Sequence, residues 1–186
     1  RSVLIAINLR DEDELIGVAV TSGTDDVILV SDDGYAIRFP EDDVRAMGRS
    51  ATGVRGMRLG RHAQLLAMGT AIQGGYLLVV TEEGYGKRTP LERYPDQHRG
   101  GKGVVTARLT DERGRLAGAL IAPYEAEVLL MTDSGTVIRM DVADVRPTGR
   151  ATQGVRLMRP DEGAQVVGLA LVVEEDDDEA VVRTRP

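Results

Sequence analysis

Short apolar runs alternate with turn residues along most of this chain. In the first clear example, the runs Val27–Ser31 and Tyr35–Phe39 flank the sequence Asp32-Asp33-Gly34. An Asp-Gly step between two such runs is typical of a β-hairpin, because glycine can adopt the positive φ that the turn requires. The pattern therefore predicts an all-β fold made of short antiparallel strands.

The hairpin pattern recurs three times at a nearly constant spacing. Segments 28–59, 78–109 and 129–160 align with one another, with equivalent glycines 50 and 51 residues apart. The equivalent glycines are Gly34, Gly84 and Gly135. Arginine recurs four residues later, at Arg38, Arg88 and Arg139, and fifteen residues later, at Arg49, Arg99 and Arg150. Glycine recurs nineteen residues later, at Gly53, Gly103 and Gly154. Units of about four strands at this period predict a propeller-like array, in which each blade packs on its neighbours.

The repeat register also predicts how the chain is organised. Repeats near 1–22, 23–72, 73–122 and 123–173 give a partial array of about three and a half blades over residues 1–173. Because the chain begins late in a repeat and without a methionine, we interpret it as a fragment of a longer protein. Residues 174–186 hold six acids and two arginines and lack an apolar pattern, which predicts a disordered acidic tail.

Charge and composition narrow the possible functions. The chain has no cysteine, which excludes disulfides and thiolate chemistry, and its longest apolar run, Val166–Val173, is too short to cross a membrane. The net charge is −7, but the tail alone contributes −4, so the body is close to neutral. Net charge is therefore a poor guide to its partners, since the cations of the body are clustered.

Those cations concentrate in one long polar loop of each repeat. The loop reads Arg45-Ala46-Met47-Gly48-Arg49 and onward to Arg55 in the first repeat, Gln97-His98-Arg99-Gly100-Gly101-Lys102-Gly103 in the second, and Arg146-Pro147-Thr148-Gly149-Arg150 and onward to Arg156 in the third. Glycine lets backbone N–H groups approach a phosphate closely, and arginine and lysine donate charge-assisted hydrogen bonds to its oxygens. The loops therefore predict binding to phosphate groups.

The middle loop resembles the seven-residue box of the C-terminal DNA-wrapping domain of bacterial DNA gyrase A. That box usually reads Gln-Arg-Arg-Gly-Gly-Lys-Gly, and here His98 replaces its second residue. The repeats over residues 1–173 resemble the blades of the same family. The family's principal box lies in the first blade, so we interpret residues 97–103 as a second box of the kind seen in some actinobacterial members.

The resemblance implies a β-pinwheel, a propeller-like disc whose basic outer rim wraps duplex DNA with positive handedness. It implies that the domain supports ATP-dependent negative supercoiling, with the N-terminal domain of gyrase A and with gyrase B as protein partners and no membrane. We expect a bacterial cytoplasmic, nucleoid-associated location. We expect no catalytic site and no cofactor in this fragment, with ATP and Mg²⁺ bound elsewhere in the enzyme.

Thirteen residues are the predicted DNA contacts. They are the box residues Gln97, His98, Arg99, Gly100, Gly101, Lys102 and Gly103, with Arg45, Arg49, Arg55, Arg146, Arg150 and Arg156. Arg38, Arg88 and Arg139 follow the hairpin turns and could instead pair with acids such as Asp42 or Asp141. We expect the acidic tail to provide solubility or, as the resemblance implies, to compete with DNA for the rim.

Two other functions remain open, and the sequence gives little support for a catalytic site. The chain could be the C-terminal domain of topoisomerase IV, or a protein-binding scaffold whose arginines are incidental. With His62 and His98 as the only histidines and no cysteine, no nucleophilic centre is indicated. Tyr94 occupies the same repeat position as Val44 and Val145, which predicts a core or rim side chain and not a DNA-cleaving tyrosine.

Overall fold

A computed structural model describes residues 4–172 of the chain. Its eleven strands are β1 (Asp26–Ser31), β2 (Tyr35–Pro40), β3 (Leu65–Thr70), β4 (Tyr76–Thr81), β5 (Tyr85–Pro90), β6 (Val104–Val105), β7 (Leu116–Ala122), β8 (Glu127–Thr132), β9 (Val137–Asp141), β10 (Val155–Arg156) and β11 (Val166–Leu171). Three-residue 3-10 turns follow β2, β5 and β9. In this described part, no helix is long and apolar enough to cross a membrane. The predicted acidic tail lies outside the described residues.

The strands form three antiparallel sheets, which we call blades one, two and three. Their strand orders are β3-β1-β2-β6, β10-β5-β4-β7 and β11-β8-β9. Strands β3, β7 and β11 stand at the same edge of their sheets, and β7 packs against both of the others. The predicted class, all-β with four-stranded propeller-like blades, is confirmed.

The fourth strand of a blade comes from the following repeat. Strand β6 belongs to the second repeat but pairs with β2 of the first, and β10 of the third repeat pairs with β5 of the second. The sequence pattern predicted four strands per repeat without this exchange. Each exchanged strand has only two residues, so its own pattern carries no information about its partner.

The blades pack through alternate residues of their central strands. Leu77 and Val79 of β4 face blade one, where they contact Ile28 and Val30 of β1. Leu78 and Val80 point the opposite way, into a second core with blade three. Successive side chains of a strand point to opposite faces, so a strand buried on both sides is apolar throughout. Strand β4 therefore joins two cores.

Residues 4–25 contain no strand, although Leu15–Val20 resembles β7 and β11 in sequence. Val20 is 99% exposed and Val18 is 87% exposed. Strands β7 and β11 pair with hairpin strands β4 and β8 of their own repeats. The described residues before Leu15 contain no such hairpin, so this segment lacks the partner that would make it a strand.

The arginine that follows each hairpin turn contacts an acid or the next repeat. The Arg38 guanidinium lies 2.5 Å from Asp26 and 3.1 Å from Asp96, and it donates to the carbonyl of Leu91 at 3.3 Å. Arg139 pairs with Glu127, which lowers the pKa of that carboxyl. The predicted pairing with acids is correct in kind, and the acids that the structure shows are Asp26, Asp96 and Glu127. The cross-strand register places Asp26 and Glu127 on the same face as these arginines.

Arg88 occupies the same repeat position but is buried, at 4% exposure. Its guanidinium donates to the carbonyls of Val145 and Ala143 in the third repeat. It also lies over the rings of Tyr76 and Tyr124, at 4.5 and 4.9 Å from their centroids. Tyr76 takes the place of the acid at this repeat position, so carbonyls and aromatic faces hold the buried charge.

Replacing Arg88 with alanine should lower the free energy of unfolding by about 3 kcal/mol, because buried carbonyls lose a charged donor and two rings lose their cation. Arg139→Ala is the matched control. Its side chain is 52% exposed, so we expect a loss below about 1 kcal/mol. Urea unfolding of both variants measures the difference, and equal losses would contradict the assigned role of Arg88.

Candidate nucleic-acid interface

Eleven of the thirteen predicted binding residues lie in three loops that precede the exchanged strands or their sequence equivalent, and Arg55 and Arg156 follow these loops directly. We call segments 44–53, 94–103 and 145–154 the rim loops. A chain that leaves its own blade to pair with the previous one must cross between the two blades. The middle and third rim loops make that crossing, so their position follows from the strand exchange.

The middle rim loop is fixed against blade one by backbone hydrogen bonds. Gln97 N–H donates to the carbonyl of Arg38 at 2.9 Å, and Gly100 N–H donates to Gly56 at 2.5 Å. Arg58 N–H donates in turn to the carbonyl of Gly101 at 2.8 Å. The box residues are therefore held in place by the preceding repeat.

The third rim loop contacts blade two in the same way. Thr148 N–H donates to the carbonyl of Arg88 at 3.0 Å, and Arg108 N–H donates to Thr152 at 3.0 Å. Parallel bridges at Arg38–Asp96 and Arg88–Pro147 mark the equivalent point of entry into each loop. The two loops thus share one geometry despite different sequences.

Arg99 is half-buried and binds the protein itself. Its Nε donates to the carbonyl of Asp43 at 2.7 Å, and its Nη1 donates to that of Arg55 at 3.1 Å. The Asp43 carboxylate accepts a bond from the Arg99 backbone N–H at 3.2 Å and lies 3.3 Å from Nδ1 of His98. Arg99 joins the box to the first repeat, and only part of its guanidinium can face a ligand.

The other box side chains differ in exposure. Lys102 is exposed, with Nζ 4.1 Å from the centroid of the Tyr35 ring, and His98 is exposed as well. Gln97 is half-buried, and its Oε1 has no hydrogen-bond partner within residues 4–172. Lys102 is therefore the box cation with the most access to solvent.

Lys87 is a buried cation that the sequence analysis did not select. It is 1% exposed, at a repeat position that Ile37 and Ile138 occupy in the other repeats. Its Nζ donates to the carbonyls of Gly149, at 2.8 Å, and Arg150, and lies 3.1 Å from Thr152 Oγ1. Burial, with the charge of Arg150, lowers the pKa of Lys87 to about 8. The Lys87 ammonium therefore fixes the third rim loop through hydrogen bonds to its backbone.

Four of the predicted arginines are exposed and have no side-chain hydrogen bond or ion pair among the described residues. They are Arg45, Arg49, Arg55 and Arg146. Arg150 is half-buried, near Lys87 and Tyr94. Arg156 donates to the carbonyl of Glu83 at 3.3 Å and to the hydroxyl of Tyr85. The structure therefore separates arginines that face solvent from arginines that join the repeats.

Tyr94 is a core residue. It is 2% exposed and packs among apolar side chains of blades one and two. Its hydroxyl lies 2.5 Å from that of Thr106, and burial raises the pKa of the phenol. In residues 4–172, no three His, Asp or Glu side chains are grouped in a way that could hold a metal ion.

Further cations near the rim were not among the predicted contacts. Arg58, Arg108 and Arg159 are all exposed and recur at +24 from the hairpin glycines, so the same spacing argument would have found them. Arg113 donates to the carbonyl of Gln153 at 2.8 Å and, together with Arg156, flanks the ring of Tyr85. Arg113 has alanine at the equivalent positions of the other repeats, so no repeat signal marks it.

A family model of the DNA gyrase C-terminal domain, described as a β-propeller, matches residues 4–22, 25–68, 75–123 and 126–172. The chain belongs to this family. DNA gyrase A of Mycobacterium tuberculosis is 46% identical over 181 residues, which are 96% of this chain and 22% of the relative. DNA gyrase A of Salmonella typhimurium is 45% identical over 176 residues, 95% of this chain and 20% of the relative. The chain thus spans about a fifth of these relatives.

Two solved structures share the fold. The C-terminal domain of DNA topoisomerase IV matches 90% of this chain and 52% of its own, with a TM-score of 0.85 and 27% identity. A DNA gyrase A C-terminal domain matches 91% of this chain and 58% of its own, with a TM-score of 0.84 and 26% identity. The fold does not separate gyrase from topoisomerase IV, whereas the curated sequence relatives at 43–46% identity are gyrase subunits.

Alanine at Gly103 should destabilise the protein more than alanine at Gly100 or Gly101. Gly103 has φ +80° and an added Cβ would overlap the carbonyl of Ala36, whereas Gly100 has φ +81° and an added Cβ there would make only an ordinary contact, 3.5 Å from the carbonyl of Arg55. Gly101 has an ordinary φ and space for a Cβ. We expect a loss of about 1 kcal/mol for Gly100→Ala from backbone strain, more for Gly103→Ala, and little for Gly101→Ala. Thermal unfolding ranks the three, and a different order would contradict this geometry.

The depressed pKa of Lys87 predicts a pH-dependent stability term. Between about pH 8 and pH 10.5 the unfolded chain retains a proton that the folded protein has released. The unfolded state then binds more protons, so this term raises the free energy of unfolding as pH rises through that range, and it is constant below it. Lys87→Ile removes the term and supplies the residue of the other repeats. The wild-type stability minus that of the variant should increase from about pH 7.5 to about pH 10; a constant difference would contradict the assignment.

Proposed function

We propose that this chain binds duplex DNA along the edge formed by its rim loops, and bends or wraps it. The charge of that edge carries the proposal. The rim loops contain six arginines and lysines and a single acid, Asp96, in a chain of net charge −7. Such segregation of cations is the electrostatic signature of a surface that neutralises phosphates.

The interface favours duplex DNA over single strands. Stacking on single-stranded bases requires exposed aromatic faces. Tyr35 and Tyr85, which pair with the exchanged strands, do not offer them: Lys102 lies over the Tyr35 ring, while Arg113 and Arg156 lie over the Tyr85 ring. The cations remain available to the phosphate backbone.

Binding should depend little on sequence. The described residues include no helix longer than three residues, so none could enter a major groove. Phosphate contacts fix the position of a duplex without reading its bases. Curvature of the rim would add a preference for DNA that bends easily.

Within a complete gyrase, the domain would present a bent duplex to the rest of the enzyme and so support ATP-dependent negative supercoiling. ATP, Mg²⁺ and the cleavage chemistry would belong to other parts, including the N-terminal domain of gyrase A and the gyrase B partner. Family membership supports this role, with a cytoplasmic, nucleoid-associated location. The structural likeness to topoisomerase IV supports the same DNA-binding role in a second candidate enzyme.

Salt dependence tests the DNA-binding proposal. Phosphate contacts make the logarithm of affinity fall with the logarithm of salt by about 0.9 per neutralised phosphate. Arg49→Ala with Lys102→Ala removes one exposed cation from each of two rim loops and should lower that slope by roughly two units. Fluorescence anisotropy with a labelled duplex at several salt concentrations measures it.

Arg10→Ala with Arg61→Ala is the control. Both side chains are exposed, but neither lies in a rim loop or recurs in the other repeats. The control should keep the wild-type slope. A wild-type affinity that does not respond to salt would support a protein-binding scaffold and overturn the DNA-binding proposal.

A further inference from the structure

A second set of cations recurs outside the rim loops. Arg58, Arg108 and Arg159 stand 24 residues after Gly34, Gly84 and Gly135, and Asn8 stands 50 residues before Arg58. All three arginines are exposed, and their side chains make no hydrogen bond or ion pair within residues 4–172. Their regular recurrence places one such position in each repeat.

These positions are tied to the rim loops through the backbone. The N–H groups of Asn8, Arg58 and Arg108 donate to the carbonyls of Ala51, Gly101 and Thr152, at 3.2, 2.8 and 3.0 Å. Each acceptor lies in the rim loop of the following repeat. The backbone of Arg58 is therefore hydrogen-bonded directly to the box, at the residue that precedes Lys102.

Arginines that stabilise this fold look different. Arg38 and Arg88 bind carbonyls or acids across repeats, and Arg115 binds Asp32 through two bonds of 2.9 and 2.7 Å. Arg58 and Arg108 make no such contact in the described structure. A fixed backbone with an unoccupied, exposed guanidinium suits an external anion, because less of the arginine must be ordered on binding.

We propose that Arg58 and Arg108 form a second row of phosphate contacts beside the rim loops, with Arg159 at the same position of the third repeat. The ligand class is the phosphodiester backbone of duplex DNA, so the inference rests on the proposed function. Each blade edge then offers cations from two consecutive repeats: Arg58 with Lys102 on blade one, and Arg108 with Arg150 on blade two. Arg159 would stand on the edge of blade three.

The test removes the arginine at this repeat position in two repeats and adds one at the equivalent position, Asn8. Arg58→Ala with Arg108→Ala should lower the salt slope of duplex affinity by roughly two units, whereas Asn8→Arg should raise it by about one. At about 0.1 M salt the double variant should bind roughly 10- to 100-fold more weakly. Arg10→Ala with Arg61→Ala again removes two exposed charges and should leave the slope unchanged. All measurements use the full 186-residue chain, with circular dichroism to verify folding.

The outcomes separate this inference from the proposed function. If the wild type binds DNA with a steep salt slope that Arg49→Ala with Lys102→Ala reduces, the proposed function stands. If Arg58→Ala with Arg108→Ala then matches the wild type, the second row is refuted. A reduction equal to that of the Arg10/Arg61 control would also refute it, because the loss would reflect net charge alone. If the wild type shows no salt-dependent binding, the proposed function itself fails.

Discussion

The exchange of a strand between consecutive repeats is the constraint on which the rest of this structure depends. Blade one is completed by β6 and blade two by β10, and each of these strands belongs to the next repeat. The carbonyls of Gly34 and Gly84 each accept two N–H groups from the residues just after the exchanged strand. Because every crossing passes over the edge of a blade, the exchange places the rim loops at that edge. The position of the cationic surface is thus a consequence of how the blades are joined.

Cations of this chain serve two different purposes. Arg88 and Lys87 are buried and bind carbonyls of the following repeat, so they join consecutive repeats. A buried charge is costly unless acceptors surround it, and carbonyls of the following repeat accept from Lys87 Nζ and from Nε and Nη2 of Arg88. Arg49 and Lys102 are exposed and leave their charge to solvent. Arg99 lies between these classes, since it holds the box in place and keeps part of its guanidinium outside.

Much of this arrangement could be predicted from the sequence, because it follows from local patterns. The hairpins of β1–β2, β4–β5 and β8–β9 follow from apolar runs around a glycine, and Gly34, Gly84 and Gly135 have the expected positive φ. The equivalence of the rim loops follows from constant spacing. The acidic partners of Arg38 and Arg139 could not be predicted, because diagonal pairing across a hairpin depends on register.

The strand exchange and the burial of Lys87 were not predictable for a different reason. Strand β6 pairs two residues with β2, about 70 residues earlier in the chain, and no local pattern specifies so distant a partner. Lys87 occupies a position that Ile37 and Ile138 fill with apolar side chains, and lysine in a polar stretch looks solvated. The carbonyls that accept from the Lys87 ammonium belong to the third rim loop, about 60 residues later in the chain.

The central claim is that the rim loops of successive blades form one continuous path for a duplex and so bend it. Ligation of a nicked plasmid with the protein bound, followed by deproteinisation and electrophoresis of the topoisomers, tests that claim most directly. A path that wraps DNA with positive handedness shifts the linking-number distribution toward positive values as protein is added. Saturated binding with an unchanged distribution would mean that the chain holds DNA without bending it around the rim, and would contradict the account.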